Sequence, residues 1–342
     1  MNNDEVYISR CLELAQKGLG LVAPNPLVGS VIVYDNKIIG EGYHHQYGND
    51  HAEVCAIKSV KDKSLLTKST IYVNLEPCAH YGKTPPCADL IIKHNIPKVV
   101  IGCIDTFSEV AGKGIERLKK HGIEVTTLVL EKESRNLNKR FFTYHEKKRP
   151  YIILKWAESQ DGFMAPEDSL HNKNRWITNE ETKSLVHSWR SQEDAIMVGK
   201  NTVLKDNPSL TARDYFGKNP LRIILGFDKT FESKTLLTDG IKTIIFNSSI
   251  ENTVENIEYI KETNPSSILD ILWKKKVQSL FVEGGKHVLE SFIHAGYYDE
   301  IRILKGNVYL KSGIPAPKVP TNIKWRTTKY YNDKLLIGTI DS

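Results

Sequence analysis

The sequence predicts a two-domain α/β protein, and three observations carry that expectation. The chain has 342 residues, more than one hydrophobic core usually organises. Apolar strand-like runs alternate with helical patterns in both halves, as parallel strands joined by crossover helices do. Between the halves lies "LNKRFFTYHEKKRP", residues 137–150, basic and ending in proline. That segment sets the expected domains at 1–146 and 147–342.

Residues 4–18, "DEVYISRCLELAQKG", repeat apolar side chains at helical spacing, with Asp4 as the expected cap and Gly18 as the stop. "GSVIVYDNKIIGEGYH" (29–44) reads as a hairpin turning at "DNK". A helix is expected from about His51, and a buried strand at "TIYVNL" (70–75). Pro85 and Pro86 mark the start of a helix, "CADLIIKHN" (87–95). Then come a strand "KVVIGC" (98–103), a helix "GIERLKKHG" (114–122) and a strand "IEVTTLVL" (123–130). In the second half "YIILKWA", "DAIMVG", "LRIILGF", "KTIIFN", "SLFVEGG" and "EIRILKG" read as strands. A helix falls between the first two, with Thr178 and Glu181 at capping-box spacing before it. No G-x-G-x-x-G follows a strand, so a Rossmann dinucleotide site is not expected.

Hydrophobic residues make up 40% and charged residues 26% of the chain, the balance of a soluble globular protein. A net charge of +6 suits an anionic small ligand and argues against nucleic acid, whose binders carry denser basic patches. The sequence shows no signal-peptide pattern and no apolar run long enough to span a membrane. A cytoplasmic protein is expected, with its five cysteines kept as thiols. Cys11, Cys55 and Cys103 read as core residues.

The remaining cysteines stand in a pattern that carries chemistry. "HAEV" (51–54) is followed by "LEPCAHYGKTPPC" (75–87), which brings one imidazole, His51, together with Cys78 and Cys87. Zinc favours that mixture, and three protein ligands leave one coordination position for water. The metal brings that water's pKa toward neutrality. Glu53, two residues after His51, is placed to take a proton from it and pass it on. H-x-E followed by P-C-x-x-C is the general pattern of zinc nucleobase deaminases. Here the cysteines are eight residues apart, so the link must loop out, turn at Gly82 and return to the helix started by the two prolines. Cys87 then sits at a helix N-terminus, where the dipole favours a thiolate.

The chain resembles the bifunctional riboflavin-biosynthesis deaminase–reductase family over nearly its whole length. The resemblance runs through "PNPLVGSVIV", "GEGYHHQYG", "HAEV", "LEPCAHYGKTPPC" and "GKGIERL" in the first half. In the second half it runs through "KWAESQDG", "WIT", "DAIMVGKNTVLKDNPSLTAR" and "FVEGG". It implies a cytidine-deaminase-like three-layer domain followed by a dihydrofolate-reductase-like α/β domain. The implied chemistry is zinc-dependent deamination of 2,5-diamino-6-ribosylamino-4(3H)-pyrimidinone 5′-phosphate, then NADPH reduction of the ribosyl chain to a ribityl chain. The implied partners are this phosphorylated pyrimidine and other copies of the chain, as a dimer or tetramer. Two stretches depart from the family: "DTFSEV" (105–110) lacks its prolines, and Asn174 replaces its usual serine before "WIT".

Residue by residue, Asn25 of "PNP" matches the family position that bonds the base, and His44, His80 and Lys83 are expected, from their residue types, to hold the substrate's polar groups. Ala157, Trp176, Thr202, Asp206 and Gly285 match the NADPH side. Arg190, Leu210, Arg213 and Glu283 match the reductase substrate side, with the two arginines as an expected phosphate clamp; Lys155, at a strand end, and Asn174, in place of the family's serine, are expected to contact the same substrate. The residues alone leave other readings open. A structural zinc would recruit His80 as a fourth ligand. A single-activity nucleobase or RNA deaminase would carry the second half as a binding module with a basic, aromatic surface. A zinc-stapled interaction protein would release no ammonia.

Overall fold

The computed structural model describes residues 2–81, 85–106, 111–166, 177–226 and 239–340. Contacts divide the chain into two compact units, Met1–Lys148 and Arg149–Ser342.

The first unit runs α1 (Asn3–Gln16), β1 (Gly29–Tyr34), β2 (Lys37–Tyr43), α2 (Ala52–Ser59), β3 (Thr70–Leu75), α3 (Cys87–Lys93), β4 (Lys98–Cys103), α4 (Lys113–Lys120), β5 (Glu124–Thr126), α5 (Glu131–Leu137) and α6 (Lys139–Lys147). Its sheet has the order β2-β1-β3-β4-β5, with β1 antiparallel to both neighbours and β3, β4 and β5 parallel. Strand alternation splits the apolar side chains between two faces. Val31, Val33, Tyr72 and Val100 pack with Ile8, Cys11 and Leu14 of α1. Ile32, Ile71, Val73, Val99 and Ile101 pack with Ala56 and Ile57 of α2, Ala88 and Ile91 of α3, and Ile115 and Leu118 of α4. The result is the three-layer arrangement expected of a cytidine-deaminase-like domain.

Several local expectations are corrected. The cap of α1 is Asn2, not Asp4: Asn2 Oδ1 accepts from Glu5 N at 2.9 Å, and Glu5 returns the bond to Asn2 N at 3.0 Å. Asp4 instead accepts from the Tyr72 hydroxyl at 2.9 Å. The β1–β2 turn holds Asp35 and Asn36 at φ 48° and 56°, the hairpin geometry that asparagine and aspartate tolerate. "IEVTTLVL" pairs only over Glu124–Thr126, because Leu128 and Leu130 turn left-handed at φ 65° and 55° and lead into α5. The basic segment 137–150 is largely the helix α6, whose Phe141 and Phe142 pack on Leu75 and Cys103. Cys11 and Cys103 are core residues as expected, whereas Cys55 is only half-buried.

The second unit runs β6 (Tyr151–Glu158), β7 (Phe163–Ala165), α7 (Glu180–Gln192), β8 (Ala195–Gly199), α8 (Lys200–Asp206), β9 (Leu221–Leu225), β10 (Thr243–Asn247), β11 (Asn252–Val254), β12 (Ile257–Lys261), α9 (Pro265–Lys274), β13 (Ser279–Val282), α10 (Lys286–His294), β14 (Glu300–Lys305), β15 (Ile314–Pro315), β16 (Ile323–Tyr330) and β17 (Asp333–Ile340). All six strands read from the sequence are present. Its large sheet has the order β11-β12-β10-β9-β8-β13-β6-β14-β17-β16. From β12 to β14 neighbouring strands are parallel, while β17, β16 and β11 are antiparallel edges. This matches the dihydrofolate-reductase-like expectation, with an unforeseen C-terminal hairpin. The cap of α7 is Asn179 rather than Thr178: its side chain accepts from Thr182 N at 2.8 Å. Among the described residues no helix is long and apolar enough to cross a membrane.

Two buried asparagines in the first unit fix the segment leading from Asn25 into β1. Asn138 Oδ1 accepts from Leu27 N at 2.7 Å and its Nδ2 donates to Leu27 O at 2.9 Å. Asn74 Oδ1 accepts from Gly29 N at 2.7 Å and its Nδ2 donates to Leu27 O at 3.0 Å. A buried donor left unmatched costs about 1–3 kcal/mol. Asn138→Ala strands the Leu27 N–H and should destabilise the first unit by that amount; an unchanged denaturant midpoint for its unfolding would contradict this.

Candidate active site

The first unit converges on three donor atoms. His51 is the N-cap of α2, with extended backbone at φ −69° and ψ 161°, so its ring projects beside the first helical turn. Cys87 is the first residue of α3, behind the N-cap Pro86. Cys78 lies on the turn after β3, and the start of α3 points at it: Cys87 N donates to Cys78 Sγ at 3.3 Å and Ala88 N donates to Cys78 O at 3.2 Å. His51 Nδ1 lies 3.3 Å from Cys87 Sγ and 3.6 Å from Cys78 Sγ, and all three donors lie within 4.8 Å of one another. Tetrahedral zinc, with bonds of about 2.3 Å to sulfur and about 2.0 Å to nitrogen, sets such donors about 3.5–3.8 Å apart. The donor set and its spacing therefore fit zinc. His80 is exposed and outside the group, so among the described residues three protein donors, not four, meet there.

The electrostatics of the bare group point the same way. The Cys87 thiol's hydrogen bond draws the Cys78 pKa well down against burial, helped by His51. The same bond, together with burial, pushes Cys87 well up. Cys78 raises His51 to about 9. One thiolate is thus shared among three groups, and a cation lets the others shed their protons as well. Glu53, in the first turn of α2, is 3% exposed. Burial raises its pKa first, and the Cys78 charge adds to that.

His44 does not offer a free donor to a substrate as expected. It is 3% exposed, its Nδ1 bonds Asp50 O at 2.9 Å, and its Nε2 meets Asn25 Nδ2 at 3.0 Å. The Asn25 amide donates to Nε2, so the ring carries its proton on Nδ1 and donates it to the carbonyl. His44 thus stands behind Asn25, which is half-buried, and orients its amide. Lys83, Asn174 and Trp176 lie outside the described residues.

In the second unit the expected residues gather at the carboxyl ends of adjacent parallel strands, where open α/β sheets place their ligands. Lys155 and Ala157 are on β6, Glu283 and Gly285 follow β13, and Thr202 is on α8 directly after β8. Arg190 of α7 forks onto Glu283, with Nε to Oε1 at 2.7 Å and Nη2 to Oε2 at 2.8 Å. Lys155 Nζ lies 3.7 Å from Glu283 Oε2. Burial would raise the Glu283 pKa, but Arg190 and Lys155 outweigh it and hold the carboxyl at about 2. Burial lowers the Lys155 pKa.

The arginine clamp is not assembled as expected. Arg190 spends its fork on Glu283, and its Nη1 donates to Thr211 O at 3.1 Å. Arg213 keeps a 51% exposed side chain, held near Asp214 and bonded to Ser209. Leu210 buries its side chain in the core and holds its backbone left-handed at φ 53°. Asp206 ends α8 and is exposed. Gly285 has φ 62° and caps α10, and a Cβ there would lie 3.3 Å from Thr202 Oγ1.

Sequence reading missed Asn74, Asn138 and Glu76. Each is a polar residue fully or nearly buried among apolar neighbours. The interruption of "TIYVNLEP" by Asn74 and Glu76 is the one signal that could have found two of them.

Comparisons with known proteins agree with both halves. Residues 1–103 match the family described as cytidine and deoxycytidylate deaminase zinc-binding region, and residues 150–310 match the RibD C-terminal domain. Fold and site thus define a zinc-dependent deaminase joined to a reductase. The chain is 40% identical to riboflavin biosynthesis protein RibD of Aquifex aeolicus, over 87% of this chain and 85% of that one. It is 41% identical to RibD of Bacillus amyloliquefaciens, over 92% and 87%. The crystal structure of a diaminohydroxyphosphoribosylaminopyrimidine deaminase/5-amino-6-(5-phosphoribosylamino)uracil reductase from Thermotoga maritima superposes with a TM-score of 0.90, at 36% identity and 99% coverage of both chains. The chain belongs to the RibD family of riboflavin biosynthesis proteins. It is a bifunctional enzyme, a deaminase and a reductase, with zinc and NADPH as its cofactors.

The Glu283 cluster makes a testable electrostatic statement. A carboxyl held at about 2 when folded contributes stability above its unfolded value of about 4.5, and that contribution is lost as pH falls toward 2. Glu283→Gln leaves Arg190 and Lys155 buried without their counter-charge, which costs about 3–5 kcal/mol. Urea unfolding of the second unit should show that loss at pH 7 and a smaller one near pH 3; equal losses at both pH values would contradict the assignment.

Proposed function

We propose that residues 1–146 deaminate 2,5-diamino-6-ribosylamino-4(3H)-pyrimidinone 5′-phosphate, and that residues 147–342 reduce the ribosyl chain of the product to ribityl. The observation that carries the first half is the meeting of His51, Cys78 and Cys87 donors within 4.8 Å, beside a buried Glu53. These three residues hold the zinc. When bound, zinc supplies a Lewis acid that makes water a nucleophile at neutral pH.

The chain's own groups do the rest. Glu53 takes the proton released by the attacking water and delivers it to the ring nitrogen and then to the departing amine. Its burial raises its proton affinity, which suits a group that must both accept and return a proton. Asn25 bonds the pyrimidine edge, with its amide set by His44. His80 and Lys83 contact the polar side of the substrate.

In the reductase half, NADPH, when bound, would supply the hydride for reduction at C1′ of the opened ribosyl chain. Ala157, Trp176, Thr202, Asp206 and Gly285 line the cofactor side. Lys155, Asn174, Arg190, Leu210, Arg213 and Glu283 line the substrate side. Arg213 carries the phosphate contact, because Arg190 is already forked onto Glu283. Lys155, buried beside Glu283, is the acid placed to supply the proton that accompanies the hydride.

Two variants test this reading. Glu53→Gln should keep zinc and lose deamination by about 10²–10⁴-fold while NADPH oxidation with deaminated substrate continues; near-parental ammonia release would remove Glu53 from the reaction. Arg213→Ala should raise the reductase KM by about tenfold, the worth of one charge-assisted contact, and spare deamination. A KM equal to that of the parent would take Arg213 out of the site.

A further inference from the structure

The zinc reading leaves one feature of the first unit unused. Both cysteine-bearing segments are held by the same short helix, α4, which supplies no metal ligand. Arg117 of α4 reaches both sides of the eight-residue link. Its Nε lies 2.5 Å from Asp89 Oδ1 and its Nη2 donates to Asp89 Oδ2 at 2.9 Å, two residues beyond Cys87. Its Nη1 donates to Ala79 O at 3.4 Å, one residue beyond Cys78. Its Nη2 also donates to the Tyr81 hydroxyl at 3.3 Å, which in turn donates to Asp89 Oδ2 at 2.6 Å. The guanidinium lies 5.6 Å from the Tyr81 ring centroid.

The other end of α4 is tied to the residues just before Cys78. Glu76, 4% exposed, accepts four backbone N–H groups: Gly114 at 2.9 Å and Ile115 at 3.3 Å on Oε1, and Gly112 at 3.0 Å and Asp105 at 3.3 Å on Oε2. Gly114 packs so closely on this turn that a Cβ would come within 2.2 Å of Pro77 O. The helix is therefore fixed to residue 76 at its start and to residues 79, 81 and 89 one turn later. A lone exposed ion pair has little energetic worth. A planar fork shared by a carbonyl, a hydroxyl and a carboxylate on two segments instead fixes a distance.

We propose that Arg117, with Tyr81 and Asp89, is a positioning residue that sets the separation of the Cys78 and Cys87 sulfurs and thereby slows zinc loss. The proposal rests on those cysteines being zinc ligands. It also gives a reason for the long cysteine link: two ligands not held on one helical turn need an external brace.

The test follows zinc release from the full-length holoenzyme to an excess of chromophoric chelator. Arg117→Ala should release zinc about tenfold faster than the parent, the scale on which outer partners of metal ligands act. Arg117→Lys keeps the charge without the fork and should fall between. Tyr81→Phe removes one hydroxyl from a 71% exposed side chain, so it keeps the fold and should give a smaller acceleration. Lys98→Ala, which breaks the surface Lys98–Glu124 pair at 2.7 Å, should release zinc like the parent. In cobalt-substituted protein, Arg117→Ala should shift the thiolate-to-metal absorption, a change that general loss of stability does not produce. Parental release rates in both Arg117→Ala and Tyr81→Phe would overturn the brace while leaving the ligands standing. A parent that binds no zinc would instead overturn the ligand reading and the brace with it. If Arg117→Ala fails to fold, Tyr81→Phe decides by its rate alone.

Discussion

One constraint governs the first unit: an imidazole and two sulfurs from three separate segments must share a space 4.8 Å across. Two of the three are placed by helix starts, His51 as the N-cap of α2 and Cys87 as the first residue of α3. The third, Cys78, is drawn in by backbone N–H groups at the start of α3. The hydrogen bond between the two cysteines lowers the Cys78 pKa and raises that of Cys87, so the three groups are electrostatically linked. The three-layer core, the buried asparagines and the brace on α4 all serve to keep those segments together.

The second unit solves a different problem with a different device. Its site stands at the carboxyl ends of β6, β8 and β13, which are neighbours in a parallel sheet. Here a buried carboxylate, Glu283, is the centre, and two cations from different elements neutralise it. Such a group is costly to bury and costly to break. Its fixed geometry leaves Lys155 pointed at the same carboxylate as Arg190, while the Arg213 side chain is half-exposed beside Asp214 and Ser209.

Much of this was legible in the sequence. The central strands of both units were found because buried parallel strands read as unbroken apolar runs, as "KVVIGC" and "DAIMVG" do, whereas the half-exposed β12 and the edge hairpin β16–β17 were not. The candidate zinc donors were legible because H-x-E and two cysteines make a recognisable donor set and Pro85–Pro86 mark where α3 starts, while the expected turn at Gly82 lies outside the described residues. Caps were misplaced at Asp4 and Thr178 because several polar residues cluster at each helix start, and only backbone geometry chooses among them. The segment 137–150 was read only as a domain boundary, and its helix was missed, because its basic side chains mask the two phenylalanines that α6 buries. His44 was read by residue type and Arg190 by its match to the family. Neither reveals that a neighbour, Asn25 or Glu283, has already taken the side chain's hydrogen-bonding groups.

The most direct test of this account is X-ray absorption spectroscopy at the zinc edge on the purified full-length protein, with metal content determined on the same sample. The account predicts one zinc per chain, with two sulfurs at about 2.3 Å and one imidazole nitrogen plus one further light atom at about 2.0 Å. A metal-free protein, or a shell of four sulfurs, would contradict it.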